Sequence, residues 1–192
     1  MPADSPRFSS VTHGTRVRVI TMDGFSLTEA VYAPHCTLPA HDHRFPSWTY
    51  VVAGSFDEAF SNGTEHCAAG SVLSKPNDAA HSNRYGFAGA TCLLIEVADI
   101  TMISEDRAAL VFGRAIHFDR GAVPRLAWRI MREFRKWDAA SSIAAQSLLL
   151  EMGLAMFANL IRPLEGDPLV PPEEFSFAVP LVSLPSGAHV EE

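Results

Sequence analysis

Residues 41–54 read HDHRFPSWTYVVAG, and this stretch decides the predicted fold. His41 and His43 lie two positions apart, so an extended backbone places both imidazoles on one face. The same alternation carries that face to Ser47. The strand that follows is rich in aromatic and β-branched residues and is predicted to end at Gly54. Such a pattern is typical of imidazoles placed inside a small β-barrel.

A second stretch, residues 70–83, reads GSVLSKPNDAAHSN and supplies a third histidine, His81. Between residue 16 and Val97 the chain alternates short apolar runs with Gly, Pro and Asn-Gly turns. These turns separate many short strands, which indicates an antiparallel sandwich or barrel. The predicted strands are 16–20, 25–32, 38–43, 48–53, 55–60, 65–68, 71–73, 81–85 and 90–97.

The pattern becomes helical after Pro124. Apolar residues recur at helical spacing up to Trp137, with arginines on the other faces. A second predicted helix, 142–161, is apolar nearly all round and is expected to stop at Pro163. The predicted organisation is a loose N-terminus (1–15), a barrel (16–100), a connector (101–121), a dimerising helical hairpin (122–162) and a proline-rich tail (163–192) that holds at most one short strand, 175–179.

Composition narrows the function classes. The length of 192 residues suits one domain. The formal net charge of −7 argues against a protein that binds DNA over its whole surface. Six of the 15 basic residues lie between Arg120 and Lys136, where a solvated helix face is a simpler interpretation than a phosphate site. Three unpaired cysteines and no apolar leader or membrane-length run predict a cytoplasmic protein without a membrane span.

The two histidine stretches resemble the paired motifs of cupin barrels, G-x5-H-x-H-x3-E-x6-G and G-x5-P-x-G-x2-H-x3-N. The spacing is kept throughout. The positions that match are His41, His43 and Gly54 in the first motif and Gly70, Pro76 and His81 in the second. The positions that depart are His35 and Ser47 in the first, where the motif has glycine and glutamate, and Asp78 and Tyr85 in the second, where it has glycine and asparagine.

Within the cupins, the chain is similar to the N-terminal effector-binding domain of AraC/XylS-type transcription regulators. The similarity rests on PAHDHRFPSWTYVVAGS (39–55), AAHSNRYGFAG (79–89) and WRIMREFR (128–135). That family adds a DNA-binding region of two helix-turn-helix units, and residues 163–192 carry no such pattern. The resemblance implies a mainly β fold, a jelly-roll-like antiparallel cupin barrel followed by a C-terminal helical hairpin.

Two interpretations of the histidines remain open. His41, His43 and His81 form a three-imidazole face that suits a divalent metal such as Zn, Fe or Ni and leaves positions open for a ligand. Ser47 supplies no anion where the motif has glutamate, so the alternative is a metal-free pocket whose histidines hydrogen-bond the ligand. The residues predicted to bind a ligand are His41, His43, Ser47, Thr49, His81 and Asn83.

Other residues receive structural interpretations. Alternation turns Trp48 and Tyr50 away from the histidine face, towards packing contacts. The acidic pair Asp57–Glu58 is interpreted as solvated charge. Cys92 lies in the most apolar strand and is expected to be buried.

Two function hypotheses follow. In the first, which the resemblance favours, the chain senses a small-molecule effector and signals through a homodimer of the hairpin, without contacting DNA itself. In the second, it is a metal-dependent enzyme, a dioxygenase or isomerase, that uses the three histidines. The helix 142–161 is too evenly apolar for one barrel face to cover, so Leu149 and Met156 are expected at the dimer interface.

Overall fold

The computed structural model describes residues 13–98 and 105–165. The predicted strand 175–179 and the tail around it lie outside the described residues. The strands are β1 (Thr15–Met22), β2 (Phe25–Tyr32), β3 (Thr37–His41), β4 (Ser47–Phe60), β5 (Gly63–Ala68), β6 (Val72–Lys75), β7 (His81–Val97) and β8 (Ile116–Phe118). The helices are α1 (Glu105–Phe112), α2 (Ala122–Lys136) and α3 (Ser141–Glu165).

Two long bent strands, β4 and β7, take part in both walls of an antiparallel barrel. Their segments 47–54 and 90–97 pair with each other and with β2 and β6. Extended by β1 and β8, these strands form what we call the helix-side sheet, in the order β1-β2-β7-β4-β6-β8. The other segments of β4 and β7 pair with β5 and β3 and form what we call the outer sheet.

The predicted division of β4 and of β7 into two strands each is wrong. Gly54, with φ of 76°, and Gly89, with φ of 67°, bend the chain without ending the strand. A Cβ at Gly54 would lie 2.0 Å from the carbonyl oxygen of Gly89, so neither the backbone conformation nor the space admits a side chain there. Register shifts beside Gly54 mark the bulges that let the strand turn from one sheet into the other.

Alternation along the helix-side sheet separates two environments. Trp48 and Tyr50 belong to the apolar core shared with the helices, and the Trp48 ring stacks on Phe112 with centroids 5.5 Å apart. Ser47 and Thr49 face the barrel interior, where they line a cavity. One layer of backbone therefore lies between the cavity and the helices, and Trp48 and Tyr50 point away from the histidine face as predicted.

The C-terminal region holds three helices, of which α2 and α3 form the hairpin. The apolar stripe of α2 is buried, and Ile130 and Phe134 are fully enclosed. The connector, left unassigned by the sequence pattern, contains α1 and β8, and β8 pairs with β6. Helix α3 was predicted to stop at Pro163, but it extends two residues further, to Glu165.

The expectation that Leu149 and Met156 face a partner is wrong. Both are 0% exposed within the single chain, because they lie on the side of α3 that packs against α1 and α2. Within residues 141–161 of α3, the large apolar side chains that remain exposed are Ile143 and Leu154. By length and composition alone, residues 141–161 could cross a membrane: their mean hydropathy is 1.4, and 33% of the stretch is buried within the single chain.

Candidate functional site

Three elements bring the histidines together at the mouth of the barrel. His41 ends β3 and pairs in register with His81, the first residue of β7. His43 lies in the connection to β4, and its carbonyl accepts a hydrogen bond of 2.8 Å from the Asp78 amide in the turn before β7. One candidate ligand atom from each of the three imidazoles lies within 4.8 Å of the other two. The predicted convergence of the three rings is confirmed.

Two of the rings have their tautomer fixed by the backbone. His41 Nδ1 lies 2.8 Å from the Pro39 carbonyl oxygen, and His81 Nδ1 lies 2.7 Å from the Ala79 carbonyl oxygen. A carbonyl oxygen only accepts, so each Nδ1 carries the proton and donates it. Each Nε2 therefore keeps a free lone pair, which is the arrangement that orients histidines as metal ligands.

Burial keeps two of the three histidines, His43 and His81, neutral. Desolvation, then the Lys75 ammonium, then the neighbouring imidazoles lower the pKa of His43 to about 3. Desolvation and Lys75 also lower the pKa of His81, against an opposing effect of Glu58. At neutral pH these rings are therefore uncharged and able to donate a lone pair to a cation.

A cavity of about 40 Å³ lies beside the histidines. One water needs roughly 10–15 Å³ of such space, so the cavity suits an ion with a ligand of a few non-hydrogen atoms. All six residues predicted to bind a ligand line it: His41, His43, Ser47, Thr49, His81 and Asn83. Their role in binding stays a prediction. Three charged residues that were not predicted as site residues also line the cavity: Glu58, Lys75 and Glu96.

The interpretation of Glu58 as solvated charge is wrong. Glu58 is 0% exposed, and its Oε1 atom lies 2.9 Å from Lys75 Nζ and 3.2 Å from His81 Nε2. Its neighbour Asp57 points outward and pairs with His66 and Arg84. The bulges beside Gly54 reverse the alternation, so counting from Ser47 assigns the two acids to the wrong faces.

Glu96 was missed for a different reason. It lies directly across from Ser47 on the neighbouring strand, so both side chains share the inner face. Burial raises the pKa of its carboxyl group above the ordinary value. The cavity thus contains carboxyl groups even though the motif position at Ser47 lacks one, and only the strand register reveals them.

The polar atoms that lack partners fit a bound cation. Among the described residues, seven buried side-chain atoms have no hydrogen-bond partner, and four of them belong to residues lining this cavity: Thr49 Oγ1, Glu58 Oε2, His81 Nε2 and Glu96 Oε2. His81 Nε2 and Glu58 Oε1 are both acceptors at 3.2 Å, an arrangement that a shared positive charge stabilises. His41, His43 and His81 would hold such an ion, and three imidazole donors suit Zn, Fe or Ni.

No family model and no curated protein matches this chain. Solved structures do resemble it. A protein from Neisseria meningitidis shares 20% identity over 43% of this chain and 82% of its own, with a TM-score of 0.38. A cupin-2 domain containing protein from Shewanella frigidimarina shares 18% identity over 45% of this chain and 82% of its own, with a TM-score of 0.39.

A variant of Bacillus subtilis oxalate decarboxylase shares 20% identity over 42% of this chain, with a TM-score of 0.36. The match spans only 23% of that enzyme. The strand pairing and the converging histidines of the present chain define an antiparallel β-barrel of the cupin type, followed by a helical region. At these levels of identity the similarities concern the fold and carry no information on activity.

Proposed function

We propose that this protein is a cytoplasmic sensor that binds a small molecule at a divalent cation inside the cupin barrel. The observation that supports it is the cluster of His41, His43 and His81, in which the backbone fixes the tautomers of His41 and His81 and burial keeps His43 and His81 neutral. When bound, the cation would supply a positive centre with positions open to a small anionic or neutral oxygen ligand. The cavity leaves room for only a small one.

The chain's own residues offer a route from the cavity to the helices. Ser47 and Thr49 line the cavity, while the intervening Trp48 packs on α1 from the opposite face of the same strand. A shift of this strand on binding changes both environments together, and the helices are biased only if the ligand favours one arrangement. This supports the effector-domain hypothesis, in which a homodimer of an AraC-type regulator carries the output and this chain itself contacts neither DNA nor a membrane.

The second candidate is a metal-dependent cupin enzyme, a dioxygenase or an isomerase. The observation in its favour is Glu58, a fully buried carboxylate 3.2 Å from His81. A carboxylate inside a small cavity can accept or return a proton from a bound molecule. Catalysis would require the substrate to reach both this group and the cation.

Metal analysis of protein purified without a histidine tag tests the proposal. We expect about one equivalent of a divalent metal per chain, and its loss in the His41→Ala and His81→Ala variants. A His66→Ala variant serves as the control, because His66 is exposed and lies outside the cavity. Wild-type protein that neither carries nor takes up a divalent metal would overturn the proposal. A redox-active metal with turnover of a small oxygenated substrate would favour the enzyme over the sensor.

A further inference from the structure

An ion pair crosses the inside of the barrel below the histidines. Glu58 extends from the outer sheet and Lys75 from the helix-side sheet, and their charged atoms lie 2.9 Å apart. The side chains are 0% and 7% exposed. Taking two charges out of water is costly, and the attraction between them compensates only when their remaining hydrogen-bonding capacity is satisfied.

That condition is not met at Glu58. Its Oε1 atom is approached by both Lys75 Nζ and His81 Nε2, while its Oε2 atom is buried without a hydrogen-bond partner among the described residues. The Oε2 atom of this carboxylate can therefore still accept a hydrogen bond or bind a cation. The pairing with Lys75 therefore does not by itself explain why a carboxylate is buried here.

The contact between Glu58 and His81 indicates where a cation would bind the Glu58 carboxylate. Because His81 Nδ1 donates to the Ala79 carbonyl, the Nε2 atom that faces Glu58 carries a lone pair. Two acceptors 3.2 Å apart repel each other unless a positive charge is bound close to both. With Nδ1 engaged by the Ala79 carbonyl, Nε2 is the atom that His81 has free for a cation held by the three histidines, and Glu58 Oε1 lies 3.2 Å from that atom.

We propose that Glu58 is the carboxylate donor of the cation site, in place of the motif glutamate that Ser47 replaces, and that Lys75 competes with the cation for it. This inference rests on the proposed function, because it assumes a divalent cation at the three histidines. It accounts for the unused Oε2 atom, for the short contact with His81 and for a lysine buried beside neutral imidazoles. It also restores one negative charge to a site that otherwise has only neutral donors.

The affinity for Co²⁺, measured by competition with a chromophoric chelator, tests the role of Glu58. We expect Glu58→Gln to weaken Co²⁺ binding about 10- to 100-fold, the usual effect of losing a supporting carboxylate at a metal site, and to change the visible absorption of bound Co²⁺. Lys75→Met should tighten binding, since a competing cation is removed. Asp57→Asn is the matched control, because this neighbouring acid points outward, and it should bind as wild type does.

The double variant Glu58→Gln/Lys75→Met distinguishes two roles of Glu58. In one, its carboxylate binds the cation directly; in the other, it only neutralises the charge of Lys75. The double variant removes both charges of the Glu58–Lys75 pair together, so neither charge is left buried without its partner and the fold should be retained. Weak Co²⁺ binding by the double variant supports the inference. Wild-type affinity in the double variant, or in Glu58→Gln alone, overturns the inference and leaves the three-histidine site intact. Wild-type protein that binds no Co²⁺ overturns both the inference and the proposed function.

Discussion

The backbone conformations of two residues show that the turns of the histidine motifs are kept where glycine is replaced. His35 and Asp78 stand where the motifs have glycine, and both keep the left-handed conformation, with φ of 57° and 55°. The matched positions Gly54 and Gly70 have φ of 76° and 91°. Asp tolerates this region because its short side chain can hydrogen-bond locally, whereas His accepts a steric cost from its Cβ. The turns are thus retained although the motif glycines that predict them are replaced.

His35→Gly should therefore stabilise the protein. A left-handed residue with a Cβ costs roughly 1–2 kcal/mol, and the extra freedom of glycine in the unfolded chain returns about 0.5–1 kcal/mol of that. We expect the free energy of unfolding to rise by about 0.5–1 kcal/mol in urea titrations. His35→Ala keeps the Cβ and should give no gain. A less stable His35→Gly variant would show that the exposed imidazole contributes more than its backbone conformation costs.

Among the elements, β1 does more than extend the sheet. Arg18 donates from Nη1 to the carbonyl oxygens of Phe134 at 2.8 Å and Arg135 at 3.1 Å, and its guanidinium lies over the Phe134 ring. Carbonyls in the last turn of a helix have no partner within the helix, and a cation there opposes the negative end of the helix dipole. Arg135 reaches back to Glu29 on β2, so three polar contacts join the end of α2 to the strands β1 and β2.

Replacing Arg18 with Met should loosen the end of α2. The variant keeps much of the apolar stem but loses the two charged hydrogen bonds to the carbonyls, which we expect to cost about 1–3 kcal/mol of unfolding free energy. Arg16→Met, on the same strand, is the matched control because no hydrogen bond or ion pair holds Arg16 within the described residues. Thermal unfolding followed by circular dichroism measures both. Equal losses in the two variants would contradict the capping role.

The elements also show where sequence patterns succeed and fail. Strand β2 was predicted with its observed bounds, 25–32, because its apolar run and its flanking turns are local signals. The division of β4 at Gly54 was wrong because one glycine ends a strand or bends it depending on the strand beside it. Glu58 could not be placed, since the bulges in β4 change the face of the residues beyond them. Lys75 and Glu96 could not be placed because both lie across from Ser47 on other strands, and that register is a property of two strands.

At the scale of the whole molecule, one layer of sheet divides the described chain into a polar interior and an apolar helical side. The cavity holds the histidines and the buried charges, whereas the core behind it is built from aliphatic and aromatic side chains. The face of the helices remote from the sheet is less well covered. Ile143 and Leu154 are 75% and 49% exposed on α3, and Trp128 is 50% exposed on α2.

The homodimer that we propose should use this face. Ile143 and Leu154 are 11 residues apart, so at about 100° per residue they lie on the same side of α3, roughly 16 Å apart along its axis. Between them the exposed positions are polar, including Glu151, which lies 3.7 Å from Arg129. Two apolar side chains flanking a charged centre suit an antiparallel pairing of two copies about a twofold axis, in which Ile143 of each copy meets Leu154 of the other.

The double variant Ile143→Glu/Leu154→Glu should shift the protein to a monomer, because four carboxylates would then oppose one another across the interface. Both side chains are exposed in the single chain, so the fold should be retained, in contrast to Leu149→Glu, which would place a charge in the core. Sedimentation velocity at micromolar concentration measures the change. Val17→Glu is the control, since Val17 is 60% exposed on the edge strand β1; dissociation by that variant would move the interface to β1, and a wild-type protein that stays monomeric at high micromolar concentration would refute the dimer.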